Sequence, residues 1–214
     1  MKGLLKNNYL AVRSNAKVLS FFMLFLGIFV VAVISRPLLT GYMLLGIIGF
    51  SVNSIAGIRK EYASKWGTYK LTTPVRKSDI IKSYFISQLI WLSTGILFAG
   101  IGMSLSWLLH GCPFDSGIDA LSTFALGTGI SFFTGGFFFP LFYLGGEERC
   151  EILLVISLLC AVGISLVITS VIRLFLTPGL TAIVSEAVIL LMCSLLAFVL
   201  SYPLTVGIFK KKEY

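Results

Sequence analysis

Six stretches, residues 18–34, 38–56, 84–109, 121–143, 152–172 and 185–207, carry one charged side chain between them, Glu186. Each is long enough as a helix, at about 1.5 Å per residue, to approach or exceed the roughly 30 Å hydrocarbon core of a bilayer. With no water in that core, a spanning segment must satisfy its own backbone, which a helix does. The sequence therefore predicts an all-α membrane protein of six transmembrane helices in a single domain, 1–214. Only 12% of the residues are charged, about half the roughly 25% of a soluble domain.

The charges that remain are one-sided. Of the 17 Lys and Arg residues, all but Arg36 and Arg173 fall in segments that six crossings put on one face of the membrane. The positive-inside rule makes that face cytoplasmic, with both termini on it. The formal charge of +8 thus belongs to span ends, so the lipid bilayer is a partner and nucleic acid is not. Residues 1–17 set Lys2, Lys6, Arg13 and Lys17 among Leu4, Leu5, Tyr9, Leu10 and Val12. Such a pattern suits an amphipathic interfacial helix in the inner headgroup layer, or equally a plain topogenic tail. The first apolar run has no small-residue cleavage site and is followed at once by a second, so it is read as a retained span.

Little in the chain suggests chemistry. Cys112 falls in an outer loop, Cys150 in an inner one, and Cys160 and Cys193 within spans, a spacing for neither disulfide nor metal; the last two are expected to be buried, inert thiols. His110 is the single histidine, so no His cluster exists for zinc. The paired acids Glu147-Glu148 have arginine immediately after them and no downstream histidine, unlike membrane CAAX-type proteases. Gly127-Thr128-Gly129 and Gly135-Gly136 lack the Gly-Lys-Ser/Thr run that cradles phosphates. No catalytic, metal or cofactor-binding residue is assigned.

The one long polar interruption is residues 57–83, with seven of the 17 basic side chains: Arg59, Lys60, Lys65, Lys70, Arg76, Lys77 and Lys82. At helical spacing Ile58, Tyr62, Trp66 and Tyr69 form one stripe, suited to docking on a protein or on headgroups. Glu61 and Lys65 pair at i,i+4 beside it. Thr73-Pro74 supplies an N-cap and first-turn proline for a helix from Val75 into the membrane. A solvated, topogenic loop is the plain alternative.

Glu61, Trp66, Tyr69, Pro74, Arg76, Lys77 and Ile81, followed by Tyr84, resemble the pattern in small six-span permeases of ABC-2 type exporters. Thr73 stands where that pattern has leucine, and Ser64-Lys65 where it has Ser-Gly. FPLFYLGGEER, residues 139–149, resembles a second junction of the same class. The resemblance implies a cytoplasmic coupling helix between spans 2 and 3, with Lys60, Glu61, Tyr62, Lys65, Trp66, Tyr69, Pro74 and Arg76 facing a separate ABC ATPase that binds ATP and Mg. It also implies a second permease copy or a sister permease, a bacterial cell membrane, and amphipathic or antimicrobial peptides as cargo. The rivals are the substrate-binding membrane subunit of a vitamin importer and a six-span membrane enzyme.

Three features bear on a pathway. Gly95, Ala99, Gly102 and Ser106 line one face of span 3, a seam for close helix packing. Span 4 mixes glycine with Phe132, Phe133 and Phe137 to Phe139, either a bendable wall for cargo or tight packing of Phe on Gly. Glu186 sits near the outer end of span 6, either solvated or paired, with Arg173 as the candidate partner.

Overall fold

A computed structural model describes residues 2–33, 35–63, 76–111, 114, 117–176 and 179–211. They form α1 (Lys2–Val33), α2 (Arg36–Ala63), α3 (Lys77–His110), α4 (Gly117–Gly145), α5 (Cys150–Phe175) and α6 (Leu180–Lys211), with a single 3-10 turn, Glu147–Arg149, before α5. Six helices among the described residues are long and apolar enough to cross a membrane.

Contacts fix the up-and-down order. Asn8 of α1 donates to Ser83 of α3 at 3.0 Å, and Arg59 of α2 pairs with Glu151 of α5. The Lys77 ammonium lies 5.6 Å from the Phe209 ring centre, and the Tyr143 and Phe209 rings are 4.8 Å apart. These contacts gather at one end the starts of α1, α3 and α5 and the finishes of α2, α4 and α6. At the other end Arg36 pairs with Asp119 at 3.3 Å, and Arg173 with Glu186. The start of α1 and the finish of α6 therefore share the end where the basic residues concentrate.

Helices in lipid gain nothing by hiding large apolar side chains from hydrocarbon, so small and hydroxyl residues turn inward instead. On α5 the interior positions include Ser157, Ala161 and Ser165, while Ile152, Val155, Leu159 and Leu166 are exposed. The two serines are satisfied by the carbonyls of Leu153 and Ala161 one turn back. Consequently Cys160 and Cys193 lie on the outer surface of the bundle rather than buried as expected. Cys150 is likewise not in a loop; it is the buried first residue of α5.

Helix α4 runs through the middle of the bundle, and its glycines admit neighbours. A Cβ on Gly127 would stand 3.2 Å from Ile47 of α2, and one on Gly129 would stand 3.0 Å from Leu190 of α6. One on Gly136 would lie 3.5 Å from the main chain of Ala197. The nearest neighbours of these glycines are thus not phenylalanine rings but Ile47 of α2, Leu190 and the main chain of Ala197 on α6 and, at Gly135, Gln88 of α3. Pro140 lies within α4, which continues to Gly145.

Among the boundaries that differ from the sequence reading, three lie within residues 1–77. The interfacial segment and first span are one continuous helix, about 48 Å long at 1.5 Å per residue. No glycine or proline between Gly3 and Gly27 interrupts it, and Asn8, Val12 and Ala16 are buried against protein. Helix α2 does not stop at Ala56 but carries on to Ala63, with Gly57 turned toward Val12 of α1. Helix α3 starts at Lys77 and not at Val75, because Arg76 is extended (φ −65°, ψ 136°). Thr73 and Pro74, the expected cap, lie outside the described residues.

Candidate functional site

The cationic end is built on the last turns of α2 and the first turns of α3. Ile58 does not face a docking surface. It is buried in a cluster with Ile55, Ile80, Ile81, Tyr84 and Phe85, which clamps the two helices together. Arg59, one residue on, is exposed and pairs with Glu151, itself 68% exposed. Such a solvated pair contributes about 0–1 kcal/mol, so it marks proximity more than strength. Lys60, Glu61 and Tyr62 lie in the final helical turn of α2, and Arg76 is exposed immediately before α3. Lys65, Trp66, Tyr69 and Pro74 fall outside the described residues.

The Gly-Gly of the 139–149 junction has a local cause. Gly146 takes φ +84° and its N–H donates to the Phe142 carbonyl at 3.0 Å, closing α4 with a left-handed cap that favours glycine. The chain turns through Glu147–Arg149 into α5, which sets Glu151 beside Arg59.

Gly95, Ala99, Gly102 and Ser106 are all buried on α3. A Cβ on Gly95 would lie 2.6 Å from the Gly46 carbonyl oxygen of α2, so two backbones cross there. Gly102 faces the ring of Tyr42, whose hydroxyl donates to the Phe98 carbonyl at 3.3 Å. Toward the basic end the same helix carries polar links. Ser83 receives Asn8 and donates to Ile80, Ser87 meets Ser54 at 3.4 Å, and Gln88 Nε2 donates to the Ser131 carbonyl at 2.9 Å and to Ser51 Oγ at 3.3 Å. Gln88 is 0% exposed, and its Oε1 meets no donor among the described residues. An unsatisfied buried acceptor costs about 1–3 kcal/mol.

Phe132 is half-buried, its ring 5.2 Å from Phe198 of α6; Phe133 is buried and stacked on Phe137 at 6.0 Å. Glu186 is held by Arg173: Nε donates to Oε1 at 2.8 Å and a terminal nitrogen to Oε2 at 3.3 Å. The carboxylate side chain is 12% exposed and the arginine 73%. Phe132 packs against the cluster that holds Ala99 of the seam, whereas Phe133 belongs to another cluster and the Arg173–Glu186 pair to the far end of α5 and α6; the structure does not gather them into one site.

Sequence reasoning passed over Gln88, Asn8 and the ring column Tyr9–Trp91–Phe50–Phe98, with centroids 5.6, 6.3 and 5.1 Å apart. Only Gln88 left a signal, as a lone carboxamide within an apolar run.

No three His, Cys, Asp or Glu side chains that could share a metal gather among the described residues. The arrangement is one that holds helices in register. It defines a polytopic membrane protein whose ends, rather than any pocket of reactive groups, carry its polar surface. The chain belongs to the ABC-2 transporter family: the family model described as ABC-2 family transporter protein matches residues 3–210. No curated protein and no solved structure matches it. Membership makes it the membrane permease of an ATP-driven transporter rather than its catalyst, and implies an ATPase partner.

Proposed function

We propose that this permease is an exporter subunit that receives the stroke of a cytoplasmic ATPase through residues 57–76. The observation that carries the reading is the packing of the two helix ends that flank that segment in the chain. The segment joins two membrane-crossing helices, α2 and α3, which are clamped by the Ile55, Ile58 and Ile81 cluster at the basic end. A push on the segment is therefore delivered to both helices at once, as rigid-body motion. The concentration of Lys and Arg at this end supports a cytoplasmic orientation.

Trp66 and Tyr69 would be the anchors buried by the ATPase, since aromatic side chains dominate such interfaces. Lys60, Glu61, Lys65 and Arg76 would set register. ATP and Mg would be held by the partner. Two permeases, identical or sister chains, would enclose the path in a bacterial cell membrane. Amphipathic or antimicrobial peptides are the cargo we favour. Two cavities lie toward the opposite end, between α1 and α3 (about 420 Å³) and between α4 and α6 (about 330 Å³). Both have almost wholly apolar linings. Neither offers the polar pocket that a vitamin importer needs.

The test is co-purification from the native membrane. Trp66→Ala should lower recovery of the ATPase by at least about tenfold, the loss of a hot spot of roughly 2 kcal/mol, while membrane insertion is unchanged. Equal recovery removes Trp66 from the interface.

A further inference from the structure

We propose that Gln88 is the positioning residue through which movement of α3 is passed to α4. This rests on the reading above, in which α3 is driven from its Lys77 end. Gln88 lies eleven residues along α3, about 16 Å in at 1.5 Å per residue, and is fully buried. Its carboxamide touches three helices: it belongs to α3 and donates to Ser51 of α2 and to the Ser131 carbonyl of α4. It is also keyed by shape. The carboxamide fills the space that a Cβ on Gly135 would need, with the side-chain Cδ 2.6 Å from that position. Sliding α3 along α4 must therefore carry Gly135 with it or pull the carboxamide from its notch.

The link is complete on one side only. Both hydrogen bonds use Nε2, and Oε1 receives none among the described residues. A methionine of similar size would fill the same notch and remove the orphaned Oε1, at the loss of the bonds to Ser51 and the Ser131 carbonyl; the two effects oppose each other, so the amide adds little net stability. Ser131 and Thr134, one turn or less from the notch, have hydroxyls that now return to the carbonyls of Gly127 and Ile130 in their own helix. In the relay, a small axial shift swings one of these hydroxyls to Oε1, a second arrangement that exchanges an intrahelical bond for the one Oε1 lacks. Two discrete arrangements of one packed contact are what a relay between helices requires.

The experiment uses the permease with its ATPase in lipid nanodiscs, with the native cysteines replaced and spin labels at exposed Leu108 of α3 and Leu121 of α4. The distance between labels is measured without nucleotide and after trapping with ATP and vanadate. Gln88→Met should shrink the nucleotide-driven change at least about fivefold, the lower range of an allosteric coupling, with ATPase recovery and melting temperature as in the parent. Gly135→Ala, which evicts the carboxamide, should do the same, and Gln88→Ala added to it, which relieves the clash but supplies no amide, should leave the response just as small. A purely structural residue would lower the melting temperature and leave the distance change intact. A parent-like response in Gln88→Met overturns the inference. Should that variant fail to assemble, a parent-like response in Gly135→Ala overturns it equally. No nucleotide response in the parent complex refutes the coupling reading itself, and the Gln88 relay with it.

Discussion

Adding one methyl group at Gly95 tests the α2–α3 crossing directly. The new Cβ would meet the Gly46 carbonyl oxygen at 2.6 Å, the Ile47 Cα at 3.0 Å and the Gly46 carbonyl carbon at 3.2 Å. All three are main chain of a facing helix, so no side chain can rotate away and α2 must move. Overpacking costs about 1–3 kcal/mol, and an immovable obstacle puts Gly95→Ala near the upper figure. Replacing a helical glycine returns about 1 kcal/mol, for a net loss of about 2 kcal/mol. Gly100 is the control: it sits on the same helix with nothing within 4 Å, so Gly100→Ala gains about 1 kcal/mol. The same chemical change five residues apart should therefore differ by about 3 kcal/mol. Reversible unfolding in mixed micelles, followed by circular dichroism, measures both. A difference below about 1 kcal/mol would mean that the backbones do not cross at Gly46 and Gly95.

Arg173→Ala leaves Glu186 mostly buried without its cation. Because the arginine is largely exposed, the loss should be about 1 kcal/mol. Adding Glu186→Gln should recover most of it in the same unfolding assay, and no recovery would show that the pair is not the cause. Arg59→Ala breaks a pair exposed on both sides, so its unfolding midpoint should match the parent's within about 0.5 kcal/mol. A larger loss would mean that Arg59 holds more than Glu151.

The number and order of the helices could be read from length and apolarity alone, because a bilayer demands long uncharged runs. Their ends could not. Nothing in residues 57–63 stops a helix, so α2 leaves the apolar run and keeps winding to Ala63. Inside and outside were also illegible for Cys160 and Cys193, since hydrocarbon surrounds the bundle and an apolar residue suits either side. The seam Gly95, Ala99, Gly102 and Ser106 was visible as a face, but its partners Gly46 and Tyr42 come from pairing in space. Gln88 went unread for the same reason: its meaning lies in Ser51, Ser131 and Gly135, which are 37 to 47 positions away in the chain. The aromatic residues of the cationic segment, Trp66 and Tyr69, lie outside the described residues, and their role rests on the pattern they form in sequence.

How the helices are joined bears on which can move. Lipid supplies no hydrophobic force between spans, so strength follows glycine crossings and hydrogen bonds. Helices α2, α3 and α4 have both: Gly95 on Gly46, Gly127 on Ile47, and Gln88 bonded to α2 and α4. Helix α5 is joined differently. Its Ser157, Ser165 and Thr169 bond within α5 itself, and its side-chain bonds to other helices, among the described residues, are the ion pairs at its two ends. Both pairs are solvated on at least one side, so each contributes about 1 kcal/mol or less. Helices α2, α3 and α4 are thus keyed to one another by specific contacts, whereas α5 is held mainly by the packing of its small residues. Under the proposed function, a force entering at Lys77 would reach α2 and α4 through these contacts, and α5 only through its ion pairs and the packing of its small residues.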